Sequence, residues 1–134
     1  MPIDLEIVSP EKLLVSRPVD MVVIPGSEGD LGALPGHAPV MLLLRGGTVS
    51  VYENGQVTDR LFVTGGFAEV TPERVTVLAD ETFALNELTR AEGERRLAAA
   101  QAEYDAVDKT DVPAIEAAMD HMLSARAMIQ TAAA

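Results

Sequence analysis

Residues 26 to 39 read Gly-Ser-Glu-Gly-Asp-Leu-Gly-Ala-Leu-Pro-Gly-His-Ala-Pro and run directly into Val40-Met41-Leu42-Leu43-Leu44. Four glycines and two prolines ahead of an apolar strand describe a shaped loop, not a linker. Pro35 presets φ at the first central position of a turn, and Gly36 accepts the positive φ that a type II turn needs at the second. His37 and Pro39 are therefore expected on a stiff backbone at the edge of a β structure.

The flanking sequence extends that reading in both directions. Ile3, Leu5 and Ile7 alternate with Asp4 and Glu6, and Val75, Val77 and Ala79 alternate with Arg74, Thr76 and Asp80; this period of two belongs to half-buried strands. Turn signals fall at Pro25-Gly26, Gly46-Gly47, Asn54-Gly55, Gly65-Gly66 and Pro72-Glu73, close enough for an antiparallel meander or sandwich. Asn54-Gly55 is the sharpest, since both residues tolerate positive φ, and it predicts a hairpin joining Val49–Tyr52 to Leu61–Thr64. Eight to ten short strands over residues 1–85 imply an all-β sandwich of two packed sheets.

Beyond Leu85 the period changes. Thr89 and Glu92 fit a capping box, and Leu97, Ala100, Tyr104 and Val107 recur at helical spacing. Asp108 to Thr110 breaks the pattern, and Asp111 ahead of Val112-Pro113 signals a second helix with the stripe Ile115, Met119, Met122 and Ile129. Residues 86–134 thus read as an antiparallel α-helical hairpin with a fraying end over Thr131 to Ala134. Its alanine content favours helix but buries little area, so its hold on the β platform is expected to be weak.

Composition limits what the chain does. A formal charge of -11 with only ten Lys and Arg argues against nucleic-acid binding. The chain has no cysteine, which removes thiolate metal sites and covalent thiol catalysis. The two histidines, His37 and His121, lack metal-ligand spacing, and His121 reads as a solvated helix residue. No serine sits in a nucleophile elbow, and the glycines at 26, 29 and 32 lack the Lys-Ser/Thr ending of a phosphate loop. A catalytic role and a metal site are not expected. No apolar run reaches the ~20 residues of a membrane span and no signal segment is visible, so a soluble, cytoplasmic chain that meets a membrane only through partners is expected.

The run Val40 to Leu44 is apolar on both faces, although a sandwich strand buries only one. Its second face is covered either by the chain's own helical arm or by a partner subunit.

Two blocks carry a resemblance to a known family. Gly26-Ser27-Glu28-Gly29-Asp30-Leu31-Gly32 with Leu34-Pro35-Gly36-His37-Ala38-Pro39, and then Gly65-Gly66-Phe67-Ala68-Glu69-Val70 with Val75-Thr76-Val77-Leu78-Ala79-Asp80, resemble the epsilon subunit of bacterial F-type ATP synthases, the counterpart of mitochondrial delta. The resemblance implies a ten-stranded sandwich with a helical hairpin, acting as a non-catalytic part of the rotor's central stalk. It implies peripheral attachment at the cytoplasmic face of the plasma membrane, contact with the gamma subunit and the c-subunit ring, and coupling of proton flow to ATP synthesis. It places Asp30, with Glu28 beside it, against the polar loops of the c ring. It places His37, Ala38, Pro39, Met41, Leu42 and Leu43 on the gamma-facing edge.

The arm departs from the family pattern. Members that bind ATP carry an apolar residue and then Asp-x-x-Arg-Ala, where this chain has Asn86-Glu87-Leu88-Thr89-Arg90-Ala91. They carry two basic residues one turn apart in the second helix, where this chain has Met122 and Arg126. Glu87, Arg90, Ala91 and Arg126 are the positions that would hold a nucleotide, but one charge-assisted phosphate partner is missing. No cofactor is expected, and Arg90 is free to pair with Glu94. In the family an extended arm reaches the alpha/beta catalytic head and inhibits hydrolysis; with Arg126 its second helix's only cation, this arm is expected to inhibit feebly. The competing reading from another class is a stand-alone β-sandwich adaptor or ligand-binding protein whose helical arm guards the Val40 to Leu44 face.

Overall fold

The structure is a computed structural model that describes residues 2–132. Ten strands occupy the N-terminal part: β1 Ile3–Val8, β2 Leu13–Val19, β3 Met21–Gly26, β4 Gly29–Ala33, β5 Val40–Leu44, β6 Gly47–Glu53, β7 Gln56–Val63, β8 Gly66–Val70, β9 Arg74–Ala79 and β10 Thr82–Ala84. A 3-10 turn, Leu85–Glu87, leads to helices α1 Arg90–Ala106 and α2 Val112–Thr131.

The strands follow one hydrogen-bonded order, β10-β7-β6-β3-β5-β8-β9-β1-β2, with β4 added on β3. β3 and β5 share only the pair Gly26↔Leu44, so the sheet curls there into two layers, β10-β7-β6-β3-β4 and β5-β8-β9-β1-β2. Alternate residues from both layers fill one core: Ile3, Leu5, Ile7, Val75 and Val77 from one, and Val22, Ile24, Val49, Val51 and Val63 from the other. At the open side Arg17 of β2 bridges the layers, reaching Glu53 at 3.0 Å and Asp59 at 2.6 Å.

Three features differ from the expectation. The 26–39 stretch is not all loop, because Gly29–Ala33 pairs along β3 as a strand; Leu31 and Ala33 alternate toward the core and outweigh the glycines. Most ladders are antiparallel, but β1 runs parallel to β9, with Asp4 opposite Arg74, since strands so remote in sequence need no hairpin. The Asn54-Gly55 turn forms with φ of 55° and 76°, yet its second strand begins at Gln56. The hairpin forms in a different register from the expected match of Val49–Tyr52 with Leu61–Thr64: Val49 meets Leu61, Thr48 meets Phe62, and Tyr52 meets Val57 after a register shift at Val51/Tyr52.

The two helices form a hairpin through small residues. Gly93 and Ala100 of α1 and Ala118 and Ala125 of α2 are buried, and a Cβ on Gly93 would stand 2.7 Å from Ile129 Cγ1. Backbones approach closely where side chains are small, so the larger residues move to the flanks. Leu97, Tyr104, Val107, Ile115, Met122 and Ile129 are half-buried, and Met119, expected in the stripe, is exposed. Thr89 caps α1 by accepting the Glu92 N–H at 3.1 Å. The reciprocal half of the capping box is absent, because the Glu92 carboxylate turns to Arg95 and Arg96. These two guanidiniums lower its pKa to about 2. Asp111 caps α2 through the Ala114 N–H. Thr131 closes α2 with Ala132 as its C-cap, and the last two residues of the expected fraying end, Ala133 and Ala134, lie outside the described residues.

The arm packs on the outer side of the β10-β7-β6 layer. Phe62, whose neighbour Val63 faces the sandwich core, joins Leu88 and Met128 in a second apolar cluster flanked by Phe83 and Leu85. A Cβ on Gly46 would lie 2.7 Å from the Ser124 Cα, so α2 rests almost directly on the backbone there. Arg96 of α1 holds Glu81 with 2.7 and 3.0 Å hydrogen bonds and lies over the Phe83 ring, 5.2 Å from its centre.

Candidate interaction surface

The turn that opens the surface is fixed as its residues demand. Gly36 has φ 85°, the His37 N–H donates to the Leu34 carbonyl at 3.1 Å, and the Gly36 N–H donates to Pro72 O at 2.8 Å. The last bond ties the turn to the β8–β9 connection, so the chain entering β5 is anchored twice. His37 turns its Nδ1 to the carbonyl of Ala38 at 2.6 Å, which folds the ring against the backbone it follows.

From that anchor β5 alternates. Leu42 and Leu44 pack toward the core, while Met41 and Leu43 face outward with 64% and 67% exposure. Across the ladder Leu43 stands opposite Phe67, Phe67 opposite Leu78 and Leu78 opposite Val8. Val8 in turn meets Leu13, so one apolar row crosses five strands. Leu13, Phe67 and Leu78 are exposed and Val8 is half-buried. The next row, Met41, Glu69, Thr76 and Glu6, is mostly polar. The apolar character is therefore concentrated at one end of the layer.

The helical arm does not cover this face, because it lies on the opposite layer. Of the two coverings the sequence allowed for β5, the arm is thus not the one found. An open face holding Met41, Leu43, Phe67 and Leu78 is the composition of a docking surface: each such side chain gains about 1.5 to 3 kcal/mol on full burial. Met41 adds a flexible thioether that adapts to what packs on it.

Glu28 and Asp30 are both exposed on the β3–β4 hairpin. Asp30 is not unpartnered: Arg45 reaches it at 2.7 Å and donates a second hydrogen bond to the Gly26 carbonyl, also at 2.7 Å. Arg45 thus ties the end of β5 to the hairpin and holds its tip in place. Sequence reading missed Arg45, since only the Gly26↔Leu44 register brings it beside Asp30.

Two of the four candidate nucleotide positions are otherwise engaged. The Glu87 carboxylate accepts the Ala84 N–H at 2.9 Å, and Arg90 pairs with Glu94 at 3.0 Å, as the sequence implied. Ala91 and Arg126 are exposed on their helices, and Arg126 has no ion pair among the described residues. His121, expected to be merely solvated, is exposed but pairs with Glu103 across the hairpin at 2.9 Å. Among the described residues no group of three or more His, Asp or Glu is arranged to hold a metal ion, and no described helix is long and apolar enough to cross a membrane.

Comparison with known proteins agrees with this architecture. The family described as "ATP synthase, Delta/Epsilon chain, beta-sandwich domain" matches residues 2–84. The chain is 62% identical to the ATP synthase epsilon chain of Granulibacter bethesdensis over 96% of its length and 95% of that protein's. It is 54% identical to the epsilon chain of Gluconacetobacter diazotrophicus over 98% and 94%. Its fold is similar to a chain in the Tetrahymena thermophila mitochondrial ATP synthase central stalk and c-ring structure, with a TM-score of 0.64, 12% identity and coverage of 98% and 96%. A chain of the Euglena gracilis mitochondrial ATP synthase OSCP/F1/c-ring structure gives a TM-score of 0.73 at 23% identity, covering 95% and 79%.

A curled ten-stranded domain carrying a docked helical hairpin is the architecture of the delta/epsilon class of ATP synthase subunits, and the epsilon chain is a non-catalytic member of that complex. The chain belongs to the delta/epsilon chain family of ATP synthase subunits. Its function within that family is that of the epsilon chain, in the central stalk of the F-type ATP synthase.

Proposed function

We propose that this chain is the load-bearing link between the gamma subunit and the c-subunit ring, so that rotation driven by proton flow reaches the catalytic head coupled to ATP synthesis. The observation that carries the reading is the open apolar face of β5 and β8, held stiff by the doubly anchored Leu34–His37 turn. His37, Ala38, Pro39, Met41 and Leu43 present this edge to gamma, with Leu42 supporting it from the core side. Glu28 and Asp30 on the β3–β4 tip meet polar loops of the c ring. The Asp30–Arg45 pair serves registry more than affinity, because an exposed ion pair contributes only about 0 to 1 kcal/mol. The complex stands at the cytoplasmic face of the plasma membrane, and the chain attaches peripherally through its partners.

The reading divides the chain into a platform, residues 1–85, and an arm, residues 86–134, which meets the alpha/beta head only when extended. ATP is not a ligand of this arm, given the engaged Glu87 and Arg90 and the Met122 substitution. The test is reconstitution of ATP synthase lacking this chain with wild-type protein, Leu43→Asp and Met41→Asp. Stoichiometric recovery of the wild type with gamma, and loss of both variants from the complex, is expected. Retention of both variants at wild-type occupancy overturns the assignment of this face.

A further inference from the structure

The open sheet face does not end at Phe67. A cleft of about 640 Å³ continues from Leu43 and Phe67 to α2, where Ala117, Asp120 and Leu123 form its far wall. A smaller cleft of about 270 Å³ lies over Met41, Leu42, Leu43 and Phe67. The two share Leu43 and Phe67, so a single apolar track runs from the platform onto the docked arm. Leu123 is 56% exposed at its far end.

The charges lining the larger cleft have one sign to offer. Arg45 is committed to Asp30 and the Gly26 carbonyl, and His121 to Glu103. Asp80 and Asp120 line the same cleft and make no ion pair among the described residues. An occupant with an apolar ridge and one or two cations at its margin matches this lining in both respects.

We propose that the shaft partner seats on platform and arm together, laying a basic, apolar-ridged segment along the track from Met41 to Leu123. This rests on the gamma-facing reading given above and deepens it. The docked arm is then half of the partner's seat. A partner that touches α2 only in the docked position binds that form more tightly, and by linkage it holds the arm down to the same extent.

Affinity for ATP synthase stripped of this chain tests the idea, using full-length wild type, Leu43→Asp, Leu123→Asp and Asp120→Lys. All three altered side chains are exposed, so thermal unfolding checks that the variants stay folded. Leu43→Asp and Leu123→Asp are each expected to weaken binding about tenfold, with Asp120→Lys also weakened. Amide exchange over residues 117 to 124 is expected to slow on binding. Loss of affinity in Leu43→Asp with wild-type affinity in Leu123→Asp overturns the shared seat and leaves the platform interface standing. Wild-type affinity in both removes the gamma-facing reading as well. Protection of 117 to 124 that rises with concentration of the chain alone makes a second copy the occupant and overturns the proposal.

Discussion

Arg96 on the first helix grips both carboxylate oxygens of Glu81 on the platform, at 2.7 and 3.0 Å, and its Nε reaches Glu92 at 2.8 Å. The bidentate geometry aligns helix and sheet together, and Phe83 beneath the guanidinium adds a cation–π contact. This pair joins the β-rich part of the chain to the arm through charge. Mutual stabilisation lowers the Glu81 pKa and raises that of Arg96.

Arg96→Ala is therefore expected to loosen the arm selectively. Half of the Glu81 side chain is exposed, so solvent screening limits the loss to about 1 kcal/mol. Hydrogen exchange should quicken in α1 and α2 while β1, β8 and β9 keep their protection. Uniform acceleration across the chain contradicts a latch role.

Acid should act at the same place. The Glu81 pKa is lowered from 4.5 chiefly by its hydrogen bonds to Arg96, so its contribution is fully present above about pH 4.5 and disappears as pH falls through the lower folded value. Arm protection measured between pH 6 and pH 3 should fall in wild type and fall less in Glu81→Gln, which keeps only the acid loss of the Glu92 carboxylate held by Arg95 and Arg96. An arm that loosens with rising pH contradicts the assignment.

Space makes the next prediction. Gly46→Ala places a methyl 2.7 Å from Ser124 Cα, a backbone atom that yields only if α2 moves. Overpacking of this kind costs about 1 to 3 kcal/mol. A lowered thermal midpoint with raised proteolytic sensitivity near residues 85 to 89 is expected, and an unchanged midpoint rejects the close seating of α2.

Much of this was readable in advance, and the parts that were not share a cause. Ile3, Leu5 and Ile7, the Asn54-Gly55 turn, Thr89 and Asp111 declare themselves because their signals are local: a period, a turn dipeptide, a cap. Strand β4 was hidden because glycines at 29 and 32 dominate its composition, though Leu31 and Ala33 kept the alternation. The parallel β1–β9 pairing and the Asp30–Arg45 tie depend on register between distant segments, which no local pattern encodes. The burial of Ala118 and Ala125 in place of Met119 follows from close backbone approach, a property of two helices at once.

Truncation after residue 85 tests the arm's regulatory weight. With Arg126 exposed and alone among the cations of α2, attraction to acidic segments is weak, so ATPase rates of complexes carrying full-length and truncated chain should be similar. A several-fold rise on truncation identifies the arm as an effective inhibitor.

The position of β1 has a bearing on how the molecule is made. β1 finds its antiparallel neighbour close by in sequence in β2, but its other edge stays bare until Arg74 and the rest of β9 exist. Closure of this side of the platform accordingly requires a long loop, and until β9 pairs with β1 the backbone edge of Ile3 to Val8 stays open to any other strand nearby.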